Sequence, residues 1–454
     1  MDAAERVLGE DIGMAVDDVD SAGEETPLTG GDADLGGVDQ STESSDGRAG
    51  EDKESGALED QAEEDPWAGY QPPDRTPPAW LDSWGPRSWM NAKAKLADLR
   101  SVGAEEWGYY TDAQVTGFST HELDPYRLLD AMSFGGDESH LRIMCRSENY
   151  LGVFDREIDW TGADDTTWLG MDTGEEYAAL LSLATGRRIR SGGLTRTFRA
   201  DDRDPRGFPD WSWHRARTAP TATRDRNRLL PNAGDPIDLQ EAVDLLALYP
   251  HLTGKRAVEL VRAARQYQLG LWVAEEDPEL AWLRLVSAAE AMAAESKPKK
   301  ISHVERLREY HPQLYQAVEP AGEEVLKAAA AAIAGHLGVT HRFVRFIADR
   351  IPEPPARRPD LHLRIEWAPG PIAELLKVVY DHRSSALHGG KPVPGPLLSQ
   401  RENVETAAPP ERFEASMGVG NSNWTVEQLP MTLHAFEYLV RSALQARWRE
   451  LAKK

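Results

Sequence analysis

The chain has 454 residues and a formal net charge of −25 at pH 7, a length that fits roughly two or three domains with sizeable hydrophobic cores. The charge is uneven, because residues 1–66 hold 22 acidic and only 3 basic residues, a net charge of −19 that leaves −6 for all the others. The acidic balance therefore belongs mostly to one segment, and it does not exclude nucleic acid as a partner of the rest.

The sequence also excludes several classes of site. Cys145 is the only cysteine, which rules out an internal disulfide and any zinc site with two thiolates. The chain has no P-loop, no dinucleotide-binding glycine motif and no H-E-x-x-H, so we expect no metal and no cofactor. It has no apolar run of about eighteen residues and no signal-peptide pattern, and we therefore expect no membrane span and a cytoplasmic location.

Residues 1–66 are rich in Asp, Glu, Gly and Ser and contain almost no aromatic residues. Such a composition cannot bury enough apolar surface to offset the entropy that is lost on ordering. We therefore predict a disordered acidic tail. Two roles are open for it: a segment that only keeps the chain soluble, or a regulatory or nucleic-acid-mimicking segment.

Residues 67–235 differ abruptly in composition and are rich in tryptophan and arginine. Short apolar and β-branched runs predict strands at residues 141–145 and 151–154. Residues 175–184 have apolar side chains at helical spacing and are followed by Gly186, which predicts a helix and its end. We therefore predict a mixed α+β domain over 67–235.

An arginine-rich segment within this domain covers residues 187–228, with twelve Arg, no Lys and five Asp. Guanidinium groups and glycine-exposed backbone amides suit phosphate binding. The candidates for contact with RNA or phosphate are Arg187, Arg188, Arg190 and Arg196. The alternative is a solvated basic surface whose arginines pair with nearby acids.

Residues 236–454 have a helical pattern almost to the end, and we predict an all-α domain there. One helix begins at Pro278, because Asp277 suits the N-cap position before it. The last helix is predicted to begin at Thr425, whose spacing to Gln428 fits a capping box. The other predicted helices cover residues 238–249, 255–273, 302–310, 321–336, 340–349 and 372–388.

The helix over 372–388 carries a predicted apolar stripe of Ile372, Leu375, Leu376, Val379 and Tyr380. It ends in the sequence D-H-R-S-S-A-L-H and is followed by Gly389-Gly390. Arg383 offers a permanent cation for a phosphate, and His388 offers the side-chain type best suited to proton transfer near neutral pH. Positions five apart on an ideal helix differ by about 140°. The two side chains therefore converge only if the last turn opens, which a diglycine permits. Spacing alone equally allows a salt bridge for Arg383 and a helix-capping role for His388.

Residues 378–390 resemble the signature of the HEPN superfamily, in which four to six residues separate an arginine from a histidine. They are similar in particular to the Apea-like HEPN group, whose motif reads roughly Y-x-x-R-S-x-x-x-H-G. Residues 282–292 resemble that group's helix with a glutamate between apolar residues, and residues 179–193 resemble the domain that often precedes it. Many HEPN nucleases have Asn, Asp or His directly after the arginine, where this chain has Ser384.

The resemblance implies a bundle of four or five helices that forms a homodimer, with both motifs lining one cleft. RNA is then cut without a metal, by attack of the ribose 2′-hydroxyl on the adjacent phosphate. In this reaction His388 transfers the proton, and Arg383 orients and neutralises the phosphate. Ser384 is a possible phosphate contact, and His382 is either a second proton carrier or a surface residue. Glu290 either pairs with Arg383 or has a plain structural role.

The sequence therefore predicts a multidomain α+β protein with a disordered acidic tail and a C-terminal HEPN-like helical bundle. The expected function is that of a metal-independent endoribonuclease, in antiviral defence or another stress response. One alternative is a HEPN module that dimerises or binds nucleotide or RNA without cutting it. Another is that residues 67–235 are the working part and the helical half is only a dimerisation platform.

Overall fold

The computed structural model describes residues 85–119, 122–130, 141–150, 169–200, 206–210, 214–215, 217, 229–293, 302–334, 338–399 and 408–453. All of these residues belong to one compact unit, Arg75–Lys454. The predicted acidic tail and the predicted strand at 151–154 lie outside the described residues, as does most of the arginine-rich segment beyond residue 200. The described part is a mixture of helices and antiparallel sheet, so the predicted α+β class is confirmed.

A five-stranded antiparallel sheet has the strand order β3-β4-β1-β5-β6. Its strands are β1 (Gly103–Tyr110), β3 (Tyr126–Asp130), β4 (Leu141–Asn149), β5 (Arg190–Arg199) and β6 (Phe208–Pro209). The strand predicted at 141–145 is confirmed within β4. Two small ladders complete the strands: β2 (Val115–Thr116) pairs in parallel with β7 (Ile237–Asp238), and β8 (Met417–Val419) pairs with β9 (Ser422–Trp424). The prediction of an all-α domain over 236–454 is therefore wrong in detail, because short segments there find strand partners that periodicity does not show.

Twelve helices are found among the described residues. They are α1 (Arg87–Leu96), α2 (Thr173–Thr185), α3 (Gln240–Leu246), α4 (Gly254–Val273), α5 (Pro278–Ala293), α6 (His303–Tyr310), α7 (Pro312–Val318), α8 (Glu323–Ala332), α9 (Val339–Ala348), α10 (Pro369–His388), α11 (Gly395–Leu398) and α12 (Leu433–Ala452).

Helix α2 packs on one face of the sheet and shows why the sequence folds as it does. Asp172 and Glu175 form a reciprocal capping box at its start, and Gly186 ends it in the left-handed conformation with φ of 71°. Gly174 lies against Trp107 of β1, and a Cβ at this position would come within 2.4 Å of the indole ring. The first turn of α2 can therefore approach the sheet only because residue 174 is glycine.

Cys145 is fully buried on β4, on the sheet face that also carries Trp107. Burial raises the pKa of the Cys145 thiol to about 12. A thiol with so high a pKa forms little of the thiolate that nucleophilic chemistry requires. Cys145 is therefore a core residue.

One hydrophobic core joins the sheet to the helices on both sides of the predicted boundary at 235/236. It runs from Tyr109 on β1 through Leu180 on α2 to Trp448 on α12. Within it, Trp282 on α5 stacks on Phe436 on α12, with ring centroids 4.9 Å apart. The division into two domains stays a prediction, but the described residues of both parts share this core.

The C-terminal helix begins later than its sequence pattern predicts. Thr425 caps only a single 3₁₀ turn, Val426–Gln428, and the long helix α12 begins at Leu433 with Thr432 as its N-cap. Pro430 explains the difference, because proline lacks the backbone N–H of a helix interior and forces the residue before it out of the helical region. The prediction that the last helix begins at Thr425 is therefore wrong by eight residues.

Helices α6, α7 and α8 pack around a small separate cluster of apolar side chains. The cluster consists of Leu307, Val318, Leu326 and Ala330. Helix α7 was not expected from the sequence. The predicted helix over 321–336 is shorter in the structure, since Gly322 has a φ of 98° and α8 ends at Ala332.

Glu176 on α2 is almost completely buried and caps a different helix. Its carboxylate accepts hydrogen bonds from the backbone N–H groups of Arg87 and Ser88, at 3.3 and 2.7 Å, where α1 has no capping side chain of its own. Burial raises the pKa of Glu176 to about 7. The carboxyl group is thus protonated in the folded chain at pH values where the unfolded chain has lost the proton.

This shift predicts a loss of stability as the pH rises. Between pH 4.5 and 7 the folded state binds more protons than the unfolded state, so the free energy of unfolding falls by roughly 3 kcal/mol over that interval. Denaturant unfolding of the wild type and of Glu176→Gln at several pH values measures this pH dependence of the free energy of unfolding. The difference in stability between the two should change with pH, whereas parallel curves would contradict the assignment.

Candidate functional site

Helix α10 carries the arginine–histidine motif and is anchored by its apolar stripe. The buried residues of this helix are Ile372, Leu376, Val379 and Tyr380. The stripe matches the amphipathic pattern read from the sequence. It fixes the rotation of α10, and with it the directions in which the motif side chains point.

Arg383 points into the bundle and pairs with Glu290 on α5. Its Nη2 atom donates to Oε2 of Glu290 at 2.9 Å. Only about a fifth of each side chain is exposed to solvent. The hydroxyl of Tyr380 donates to the other carboxylate oxygen at 2.8 Å. Burial and this hydrogen bond raise the pKa of Tyr380 to about 12. The pairing of Glu290 with Arg383 that the sequence suggested is present, and Tyr380 is a third member that sequence reasoning missed.

Tyr380 belongs to the apolar stripe and is the tyrosine of the Y-x-x-R pattern, but neither pattern shows that it shares a carboxylate with Arg383. It lies three residues before Arg383, so the two share one side of the helix. The guanidinium carbon of Arg383 lies 5.5 Å from the centre of the tyrosine ring. The ring therefore supports the arginine as well as sharing its carboxylate partner.

His388 is exposed at the last helical position of α10. The final turn does not open as convergence of the two side chains requires: the backbone N–H of Gly389 bonds to the carbonyl of Ser385 at 2.9 Å, and the left-handed residue is Gly390, with φ of 60°. The helix is regular through His388 because the chain leaves it only after that residue. Arg383 and His388 therefore stay about 140° apart around the axis and about 7.5 Å apart along it.

The other motif residues have separate environments. His382 is partly buried, and its Nε2 atom lies 2.8 Å from the carbonyl oxygen of Gln428. Ser384 is partly buried on α10. The structure thus ties His382 to the turn that precedes α12, which is a structural role.

A small, mainly apolar cleft that is partly open to solvent lies beside Arg383 and His382. Its other lining residues are Trp282, Leu283, Val286, Val379, Val393 and Leu397. The Nε atom of Arg383 is buried and has no hydrogen-bond partner among the described residues. The guanidinium therefore keeps donor capacity beyond its bond to Glu290.

The four arginines predicted to bind RNA do not form one patch. Arg188 is 1% exposed and forms ion pairs with Asp112 and Glu275, at 3.0 and 2.7 Å. Its guanidinium is buried against these carboxylates and cannot reach a phosphate in solution. The prediction that Arg188 contacts RNA or phosphate is therefore wrong. The sequence could not show the burial, because both partners are more than seventy residues away.

Arg187, Arg190 and Arg196 are partly exposed in three different settings. Arg187 donates to backbone carbonyls, among them that of Asp235 at 2.9 Å. Arg196 lies on β5 near Glu106, with 4.0 Å between their charged groups. Arg190 lies over the ring of Trp272. Of the three, only Arg190 belongs to a larger group of arginines.

Comparison of the chain with known protein families, with curated proteins and with solved structures finds no match. Within the described residues, no three His, Cys, Asp or Glu side chains are grouped so as to hold a metal ion. No described helix combines the length and the apolar character needed to cross a membrane.

Proposed function

We propose that the chain is a metal-independent endoribonuclease of HEPN type that acts as a homodimer through its helical part. The observation that carries the proposal is the setting of Arg383. Glu290 and Tyr380 hold this guanidinium beside a small cleft, and only one of its donors is bonded to Glu290. An arginine oriented in this way suits a phosphodiester, whose oxygens accept paired hydrogen bonds from its planar fork.

In the proposed reaction the ribose 2′-oxygen attacks the adjacent phosphorus. A bond from O2′ to phosphorus forms while the bond from phosphorus to O5′ breaks. His388 accepts the proton of the 2′-hydroxyl, and the departing 5′-oxygen takes a proton from solvent. The products are a 2′,3′-cyclic phosphate and a 5′-hydroxyl end. Positioned proton transfer contributes roughly 10²–10⁴-fold to such a rate, and Arg383 stabilises the charge that develops on the phosphate.

The regular end of α10 supports a site shared between two chains. The directions of Arg383 and His388 within one helix diverge by about 140°, which disfavours their meeting on one phosphate within a single chain. His388 is exposed, and its neighbour Leu387 is an exposed large apolar residue with 51% of its surface accessible. An apolar residue beside an exposed histidine suits burial against a second copy.

A non-catalytic HEPN module is the second candidate, and the ion pair itself favours it. Glu290 neutralises much of the charge of Arg383, which weakens the attraction for a phosphate. In that case the bundle dimerises or binds nucleotide or RNA without cutting it. The two candidates differ in whether RNA is cleaved, and an assay of the products distinguishes them.

The test uses an end-labelled RNA oligonucleotide in excess EDTA. We expect cleavage that leaves 2′,3′-cyclic phosphate ends and that stops where a 2′-O-methyl group replaces the attacking hydroxyl. Products that require added Mg²⁺, or cleavage of the 2′-O-methyl substrate at the same rate, would contradict the proposed mechanism. Binding of the intact oligonucleotide without any cleavage would favour the non-catalytic module.

A further inference from the structure

A second group of cationic side chains lies far along the chain from the motif, where β5 meets α4 and α5. We call it the arginine cluster, and its members are Arg190, Arg217, Arg265 and Arg284. Each of the four is partly exposed. None of them belongs to the motif, and three were not predicted as functional from the sequence.

Gln268 on α4 connects two members of the cluster. Its side-chain amide donates to the carbonyl of Ile189 at 2.7 Å, directly before Arg190 in the chain. Its amide oxygen accepts a hydrogen bond from Nη1 of Arg265 at 2.8 Å. The buried glutamine therefore fixes Arg265 beside the start of β5, where Arg190 lies.

The other two arginines are attached to the same network. Arg217 donates from Nε to the carbonyl of Ser191, the residue after Arg190, at 3.2 Å. Arg284 on α5 donates from Nη1 to Oε1 of Gln266, the residue after Arg265, at 2.8 Å. Four guanidinium groups from separate parts of the chain are thus held together by hydrogen bonds to neutral groups.

No ion pair joins the cluster to a carboxylate among the described residues. Most partly buried arginines elsewhere differ, for example Arg350 and Arg358, each of which bonds to a glutamate. The acidic groups that act on the cluster are Asp172 and Glu175 at the start of α2. Two carboxylates at longer range leave the four cations with an excess positive charge.

The cations of the cluster are held at an energetic cost. Burial, followed by the charges of Arg217 and Arg265, lowers the pKa of Arg190 to about 10. The pKa of Arg265 is also lowered, chiefly by burial. Both shifts mean that the surroundings disfavour the charged forms. A bound anion would remove this repulsion.

The ring of Trp272 packs against Arg190 of the cluster. The guanidinium carbon of Arg190 lies 5.3 Å from its centre. Trp272 packs against Tyr110, and the hydroxyl of that tyrosine lies 2.8 Å from Nε2 of His214. Packed aromatic side chains restrict the motion of Arg190, so the arginine loses little further freedom when it binds a ligand.

We propose that the arginine cluster binds a compact phosphate group with two or more negative charges, such as the diphosphate of a small molecule. Arg190 feels the charges of Arg217 and Arg265, and Arg265 feels those of Arg217 and Arg284, so the cations lie near one another. Positive charge grouped in this way suits a compact anion with several charges. The site shares no residue with the motif of Arg383 and His388, so it is a second binding site.

Pyrophosphate is the probe for this site, and its binding is followed by calorimetry and by thermal unfolding of the full chain. We expect pyrophosphate to bind and to raise the unfolding temperature. Arg265→Gln and Arg284→Gln should each weaken binding about tenfold or more, while Arg265→Lys should weaken it less. Without pyrophosphate, both glutamine variants should unfold at the same temperature as the wild type or higher, because a repelled charge has been removed. Arg345→Gln, at an exposed pair with Asp349 on α9, is the control and should bind normally.

Three results would overturn the proposal. One is the lack of any effect of millimolar pyrophosphate on the wild type. Another is equal binding by Arg265→Gln and the wild type. The third has two parts: pyrophosphate binds to neither the wild type nor the glutamine variants, and the variants lose binding of single-stranded RNA. That result would assign the cluster to RNA. None of these measurements depends on cleavage, so the outcome is independent of the proposed nuclease activity.

Discussion

Replacement of His388 by alanine should lower the rate of RNA cleavage in EDTA by about 10²–10⁴-fold, the range that positioned acid–base catalysis supplies. The side chain is exposed at the end of α10, so its removal costs little packing. We therefore expect an unchanged unfolding temperature and nearly unchanged RNA binding. Single-turnover cleavage of an end-labelled oligonucleotide measures the rate, and circular dichroism measures unfolding.

His362 provides a matched control for this substitution. It is also an exposed histidine, with 59% of its side chain accessible, and it pairs with Glu414 outside the motif. His362→Ala should cut RNA at the wild-type rate. If His388→Ala also cuts at that rate, the assignment of the proton-transfer group is wrong even though the activity stands. If it loses RNA binding together with cleavage, His388 is a binding residue and not a proton carrier.

The helices of the C-terminal part were predictable where the signals are local. Asp277 caps α5 as its sequence position indicates, with its carboxylate accepting from the N–H of Leu280 at 3.0 Å. The stripe on α10 and the glycine end after His388 were also read correctly. These features depend on residues only a few positions apart, so a single sequence contains them. The late start of α12 is local too, because Pro430 ends the turn that Thr425 caps.

The candidate site was predictable only in part, because its geometry depends on contacts distant in sequence. The pairing of Glu290 with Arg383 was one of two roles that the sequence left open for the glutamate. The burial of Arg188 could not be foreseen, since a run of arginines looks like a basic surface whether or not acids from elsewhere cover it. The arginine cluster escaped notice for the same reason: the hydrogen bond from Gln268 to Ile189 spans 79 residues.

The position of the glycines after α10 decides whether one chain can bring Arg383 and His388 together. From the sequence, the diglycine permits an opened turn in which one chain brings its arginine and histidine together. In the structure the helix continues through His388, and the glycines act only after it. Because the helix end is regular, a second chain must supply the residue that Arg383 or His388 lacks at the site. The proposed activity should therefore depend on dimer formation.

Mixed dimers test this dependence directly. A dimer of one Arg383→Gln chain and one His388→Ala chain should regain about half of the wild-type activity, because one of its two shared sites keeps both residues. Glutamine at 383 retains a donor for Glu290, so the helix packing is preserved. Each variant alone should be nearly inactive. Chains with two different affinity tags allow the mixed dimer to be purified and its cleavage rate measured per dimer.

A second mixed dimer makes the result decisive, because a shared site predicts activity for the first dimer and no activity for this one. It pairs a wild-type chain with a chain that carries both substitutions. If each site draws Arg383 from one chain and His388 from the other, both sites of this dimer lack one residue, and it should be nearly inactive. If each chain forms its own site, the wild-type chain keeps about half of the activity, and the dimer of single variants stays inactive. The two mixed dimers thus give opposite results under the two arrangements, and only the first arrangement agrees with a helix that is regular through His388.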